Sequence, residues 1–257
     1  MNISLIKRLR LLIVLISLAT SAQPSKAQVI FYGGDFDGRN GFPSQWTPAF
    51  DALSFDDFDV PQTVPIGSIW GNFQMNFIPT EAYYQIRSGI SAGNGGTLLS
   101  SGTLTVQVTP TGLSQGGLPE YQVVANVSLS LAPGKYWLGM APVGNFFQSA
   151  YISTTSGEAT GPLGDPNPPP TGSPLANGNS FFYDPNGYNF VPTAATTLGP
   201  GTWDFSCGVA AVPEPATSTL MIFSAIAGLI LSNRHGRGAV DRTTDFDVAE
   251  AKHQRKT

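Results

Sequence analysis

Tyr121-Gln122-Val123-Val124-Ala125-Asn126-Val127-Ser128-Leu129-Ser130-Leu131 decides the fold class of this 257-residue chain. Tyr121, Val123, Ala125, Val127, Leu129 and Leu131 alternate without a break, with Gln122, Asn126, Ser128 and Ser130 between them. Side chains of a strand point alternately to its two faces, so this pattern gives one buried and one polar face. Ala132-Pro133-Gly134 supplies a turn, and Lys135 to Val143, rich in Tyr136, Trp137, Leu138 and Met140, reads as the partner strand. Working outward, Leu104, Val106 and Val108 alternate, as do Ile69, Gly71, Phe73, Met75 and Phe77. Trp203, Phe205, Cys207 and Val209 make a late strand, and Leu53, Phe55 and Phe58 mark an early one. No window of the body carries helical spacing. About eight to ten strands separated by Gly/Pro turns predict an all-β, antiparallel β-sandwich or jelly-roll-like domain over residues 28–211.

Composition agrees with that class. Gly and Pro contribute 29 and 21 residues and charged residues only 12%, which suits a strand-and-loop extracytoplasmic protein better than a helical cytosolic enzyme. Aromatics at 11% supply enough apolar surface for a core. The single Cys excludes an intramolecular disulfide framework and any multi-cysteine metal site. Residues 156–180 hold Pro162, Pro166, Pro168, Pro169, Pro170 and Pro174 and read as a long exposed loop. The aromatic run from Phe181 to Tyr188 then folds back over the body.

Both ends read as addresses. Lys7, Arg8 and Arg10 precede an apolar stretch from Leu11 to Ala19, and Ser25-Lys26-Ala27 places small residues before a cut after Ala27. Residues 1–27 are thus expected to be a signal peptide. Ala216 to Ser232 is a second apolar stretch, entered through Pro213-Glu214-Pro215 and followed by Arg234, His235 and Arg237. Its length reaches the lower limit of a transmembrane helix, taken as ~17–25 residues, and the basic residues hold that side in the cytoplasm. A helix over 216–232 would leave the body on the periplasmic or cell-surface side.

Pro-Glu-Pro, an apolar span and an arginine cluster in that order resemble the PEP-CTERM sorting signal of exported Gram-negative proteins, also called the ice-binding protein C-terminal domain. The resemblance covers residues 212–237. It implies that Pro213, Glu214, Pro215, Arg234 and Arg237 are recognition elements for an exosortase-type sorting enzyme, and that the chain accompanies exopolysaccharide. The chain continues from Gly238 through residues 238–257, whose mixed charges read as a disordered cytoplasmic tail. Within the body, Asp35-Phe36-Asp37-Gly38-Arg39-Asn40-Gly41, Phe55-Asp56-Asp57-Phe58, Ile86-Arg87-Ser88-Gly89, Ala132-Pro133-Gly134-Lys135-Tyr136-Trp137-Leu138 and Trp203-Asp204-Phe205-Ser206 are similar, in that order, to an uncharacterised group of PEP-CTERM proteins. That second likeness implies no activity.

Charge narrows the partners. Residues 28–212 hold Arg39, Arg87 and Lys135 against twelve acids, a net charge of −9. Such a body lacks the cations that nucleic acid binding needs, and it disfavours an anionic membrane surface. His235 and His253 lie beyond the body, so no Ser-His-Asp or histidine-metal arrangement can be assembled inside it. Cys207 shares the apolar parity of its strand and reads as a core residue.

Three candidate sites remain. Asp35, Asp37 and Asn40 around Gly38 form an oxygen-rich loop that is either a calcium site or an Asx-rich turn. Asp56, Asp57 and Asp59 are either paired carboxylates of a hydrolase or, the favoured reading, the solvated edge of a sheet. Trp46, Trp70, Trp137, Tyr83 and Tyr84 are either core or a stacking platform for sugars. The expectation is a non-catalytic, membrane-tethered cell-surface protein of structural or adhesive type in an extracellular polysaccharide or biofilm matrix, with no cofactor. The alternative is a lectin-like carbohydrate-binding module, with or without calcium.

Overall fold

The computed structural model describes residues 27–47, 50–157, 169–196 and 203–213. Signal peptide, membrane span, arginine cluster and tail all lie outside the described residues. Among the described residues no helix is long and apolar enough to cross a membrane.

The described chain is all-β. Its strands are β1 (Val29–Tyr32), β2 (Phe42–Pro43), β3 (Gln45–Thr47), β4 (Phe50–Val60), β5 (Val64–Met75), β6 (Glu81–Ser88), β7 (Thr97–Gln115), β8 (Leu118–Leu131), β9 (Gly134–Pro142), β10 (Ala150–Ile152), β11 (Phe181–Asp184), β12 (Tyr188–Pro192) and β13 (Cys207–Ala211). Hydrogen bonding runs in the order β1-β13-β5-β8-β7-β6-β9-β4-β11-β12, while β10 bridges β5 to β2 and β3 borders β4. All of these strand pairs are antiparallel.

The strand alternation places the core. Val123 and Ala125 of β8, Ile66, Ile69, Phe73 and Met75 of β5, and Cys207 and Val209 of β13 face inward from one half of the sheet. Phe58 of β4, Tyr84 and Ile86 of β6, and Tyr136, Leu138 and Met140 of β9 face them from the other half. The Phe31 and Phe58 rings stack across this core with centroids 5.9 Å apart.

Two details differ from the sequence expectation. The hydrogen-bonded sheet is single and curled, because β7 is long enough to serve both halves. Residues 97–105 of β7 pair with β6, and residues 106–115 pair with β8. Gly102, near the change of partner, is a residue that suits a bend in a strand. The second difference concerns β9, which pairs with β4 and β6 and not with β8. Ala132-Pro133 therefore carries the chain across the core, and the Tyr136 hydroxyl donates back to the Ala132 carbonyl at 2.8 Å. A hairpin would set the apolar positions of β8 and β9 side by side; the crossing lets them bury one another face to face.

The outer faces carry smaller clusters. Trp70 packs on Tyr32 and Ala210, and Trp137 packs with Leu53, Phe55, Phe181 and Phe190. Gly208 makes the first possible, since a Cβ there would overlap Cζ2 of the Trp70 ring. Gly208→Ala is expected to cost about 1–3 kcal/mol, the usual penalty of overpacking. Gly102→Ala, whose Cβ would meet only Tyr84 Cε1 at 3.8 Å, should change stability by less than about 0.5 kcal/mol. Denaturant midpoints of the two variants check this.

Candidate functional site

β4 splits its acids between the two faces. Ala52, Phe58 and Val60 share the inner parity with Asp56, whereas Leu53 and Phe55 share the outer parity with Asp57 and Asp59. Asp56 and Asp57 are only 2% and 1% exposed, which overturns the solvated-edge reading for both; Asp59 alone stays open. Part of the cover on Asp57 comes from the proline-rich stretch, whose described part is the largely exposed loop that its composition predicts, but one hydrogen-bonded to the body. Thr171 exchanges backbone hydrogen bonds with Tyr32, and Ser173 O accepts from Asp59 N–H. Asn177 and Asn179 donate side-chain N–H groups to Asp57 Oδ2 at 3.2 and 3.3 Å. The Gly178 N–H donates to Asp204 Oδ1 and Oδ2 at 3.0 and 2.9 Å. Ser180 Oγ donates to the Trp203 carbonyl. Residues 169–180 thus form a strap sewn across β4 and the segment that enters β13.

Beneath the strap, Asp56 Oδ2 accepts from Phe205 N–H at 2.7 Å and Oδ1 from Asp57 N–H at 2.9 Å. Burial, then the neighbouring Asp204 charge, pushes the Asp56 carboxyl well above the ordinary carboxylate range. Burial likewise raises Asp204, against the Gly178 N–H that favours its ionised form. Lys135 Nζ lies 2.5 Å from Asp57 Oδ2 and 3.4 Å from Asp59 Oδ1. Burial alone would lower Lys135, but the hydrogen bonds and charges of Asp57 and Asp59 together outweigh it and raise it. The Cys207 thiol is pushed well up by burial and then by Asp56, so it is an inert core group.

The Asp35, Asp37 and Asn40 oxygens are engaged by separate protein donors. Asp35 Oδ1 accepts from the Tyr32 hydroxyl at 2.6 Å, and Asn40 Oδ1 accepts from Gln115 Nε2 at 3.3 Å. Asp37 Oδ1 accepts from Thr154 Oγ1 at 2.7 Å, and its Oδ2 accepts from Arg39 Nε at 2.8 Å. Burial would raise the Asp37 carboxyl, yet these bonds hold it below its ordinary value. Among the described residues no group of three or more His, Cys, Asp or Glu is placed to hold a metal ion.

Arg39 separates two hollows. One is a cleft of about 700 Å³ whose walls include Arg39, Asn40, Gln74, Gln115, Tyr151 and Trp203. The other, of about 460 Å³, lies against Asp37, Arg39, Thr155, Ser156, Ala176 and Asp204. The Arg39 guanidinium sits 4.7 Å from the Trp203 ring centroid, a cation–π contact. Gln74 Nε2 and Trp203 Nε1 are buried donors with no hydrogen-bond partner. Leaving such donors unpaired costs about 1–3 kcal/mol each, and a small shift that lets an acceptor reach them recovers it.

None of the five rings singled out from the sequence reaches this cleft. Trp46 stacks on Tyr83 at 3.8 Å, Trp70 and Trp137 are buried in outer clusters, and the Tyr84 hydroxyl pairs with Ser100. The cleft rings are Trp203, which the strand parity assigned to the core, together with Phe42 and Tyr151, which the sequence reading did not single out. Pro213 is exposed at the end of the described body. Glu214, Pro215, Arg234 and Arg237 lie outside the described residues.

No protein-family model, curated protein or solved structure matches this chain. The site therefore stands on its own chemistry: amide and guanidinium donors beside aromatic surface in an open cleft, with a buried acid knot behind it.

The acid knot has a pH signature. The Asp56 carboxyl is raised in the folded state, so that state binds the proton more tightly than the unfolded chain does. Its stabilising contribution is complete below the unfolded value of about 4 and is lost as pH rises through the folded value. Asp37, lowered, acts oppositely and loses its contribution on acidification. Urea unfolding followed from about pH 4 to pH 8 should show stability falling with pH through the Asp56 contribution, and Asp56→Asn should flatten that fall.

Proposed function

We propose that this is an exported, membrane-tethered, non-catalytic cell-surface protein of structural or adhesive type within an extracellular polysaccharide matrix. Residues 1–27 are read as its signal peptide, with cleavage after Ala27, and residues 216–232 as its anchor helix. The sorting signal then consists of Pro213, Glu214, Pro215, Arg234 and Arg237, taken by an exosortase-type enzyme of the PEP-CTERM system. The two halves of the curled sheet serve as a β-sandwich or jelly-roll-like body on the periplasmic or outer face.

The observation that carries this reading is the polarity of the body. Ala211 N–H donates to Gln28 O at 2.8 Å and Val212 N–H to Pro65 O at 3.0 Å, so the body's two ends leave beside the start of β5. Gln74, in the cleft wall, lies nine residues further along β5, about 30 Å away at ~3.3 Å per residue. Beyond it, the Ser149 N–H is held by Asn76 Oδ1 at 2.9 Å, and the preceding Phe146 and Phe147 are 78% and 87% exposed. Chain ends that leave one end of the body, and a cleft with an apolar tip toward the other, suit a protein that reaches away from its attachment to hold something.

The second reading, a carbohydrate-binding module, is favoured by the cleft itself. A sugar offers hydroxyl acceptors to amide and indole N–H groups and an apolar C–H face to a ring. The oxygens of the Asp35–Asn40 loop are already engaged by protein donors, so the cleft needs no calcium for this role.

A glycan-array screen of the purified full chain, with calcium and with chelator, tests both readings. The expected result is saturable, chelator-resistant binding to a polysaccharide. Tyr151→Ala combined with Gln74→Ala should weaken it about tenfold or more, equivalent to ~1.4 kcal/mol. Binding that ignores the double variant would move the site elsewhere, and a folded chain that binds no glycan would leave the structural role alone.

A further inference from the structure

Asp57 holds one amine and two amides on one oxygen. Lys135 Nζ, at the start of β9, lies 2.5 Å from Asp57 Oδ2. Asn177 Nδ2, on the strap, lies 3.2 Å from the same atom. Asn179 Nδ2 lies 3.3 Å from it. Asp57 is 1% exposed, and its other oxygen, Oδ1, is buried with no hydrogen-bond partner. The carboxylate is therefore out of water while a nucleophile and an acyl group share its surface.

We propose that Lys135 and Asn177 are joined by an isopeptide bond formed across Asp57. Asn177 is singled out from Asn179 by its carbonyl: Asn177 Oδ1 accepts the Asn179 N–H at 2.9 Å. That donor sits where negative charge develops when a nucleophile adds to Asn177 Cγ, the arrangement that stabilises an oxyanion. This inference rests on the acid knot alone and is independent of what the cleft binds.

The step balances without an added reagent. Asp57 Oδ2 takes a proton from the Lys135 ammonium, and the freed lone pair on Nζ forms a bond to Asn177 Cγ. The carbonyl pair moves onto Oδ1, beside the Asn179 N–H. Asp57 returns its proton to Nδ2 and accepts the second proton of Nζ. Collapse restores the carbonyl, breaks Cγ–Nδ2 and expels ammonia, which takes the proton from Asp57 and leaves as ammonium. Nothing is oxidised or reduced. Asp57 is regenerated as a carboxylate, and one lysine charge departs with the ammonium.

Lys135 is held protonated at rest by the same Asp57, so the first transfer is uphill. Intramolecular placement supplies the compensation, with effective molarities of about 10⁵–10⁸ M for well-oriented groups. Asp57 acts as the general base and then the general acid at hydrogen-bond distance from both partners. The product would fasten the strap to β9 in a chain whose one cysteine, Cys207, is buried and free.

Tandem mass spectrometry of the denatured, protease-digested full chain tests the bond. The expected result is a branched peptide containing Lys135 and Asn177, lighter than its two components by one ammonia, with no tryptic cleavage after Lys135. Lys135→Arg keeps the cation beside Asp57, so it should fold and yield only unlinked peptides; Asn177→Ala should do the same. Free Lys135 with intact Asn177 in the unaltered chain would overturn the proposal. So would simple deamidation at Asn177-Gly178, or a bond from Lys135 to Asn179 or directly to Asp57.

Discussion

A buried carboxyl group, Asp56, ties the two halves of the molecule together. Its Oδ2 accepts from the Phe205 N–H, 149 positions further along the chain. An ionised carboxylate in that place would be expensive, because little solvent remains to screen it and two further acids stand nearby. Burial raises the Asp56 carboxyl, and two backbone N–H groups donate to its oxygens. Just before Phe205 in the chain, Asp204 meets Gly178 of the strap and Trp203 meets Arg39 at the wall of the cleft. The same strap seals Asp57 and brings Asn177 to the oxygen that already holds Lys135.

Much of the fold was legible because a strand repeats every two residues. The alternation in β5, β7, β8 and β13 marks residues that do face the core, and Cys207 is buried as its parity requires. Partner choice was less legible. Ala132-Pro133-Gly134 looks like a hairpin turn, yet it crosses the core, since only the assembled sheet determines whether two apolar faces lie side by side or face to face. The continuity through β7 is of the same kind. A 19-residue strand reads as one element, but nothing local says that its two ends have different partners.

The candidate site was harder to read. Asp56, Asp57 and Asp59 are close in sequence and carry the same charge, so a solvated edge is the natural expectation. Asp56 is buried on the inner face beside Phe205, and Asp57 is covered by a proline-rich strap more than a hundred residues away, whose own sequence signals only the absence of a ladder. Trp203 was legible as a core position and does pack there, while its neighbour Arg39 turns one side of it into a cleft wall. Asp35, Asp37 and Asn40 have the oxygen content of a cation loop, but the structure gives their oxygens to Tyr32, Thr154, Arg39 and Gln115. Spacing alone cannot anticipate those donors.

Burial beside Asp204 raises the Asp56 carboxyl, the group that joins β4 to Phe205. Site-resolved carbon-13 NMR titration of the aspartate carboxyl groups in the folded chain tests it most directly. The account predicts that the Asp56 carboxyl titrates well above the ordinary aspartate range, while that of Asp37 titrates below it. An Asp56 resonance that titrates as an ordinary, solvent-exposed aspartate would contradict the account.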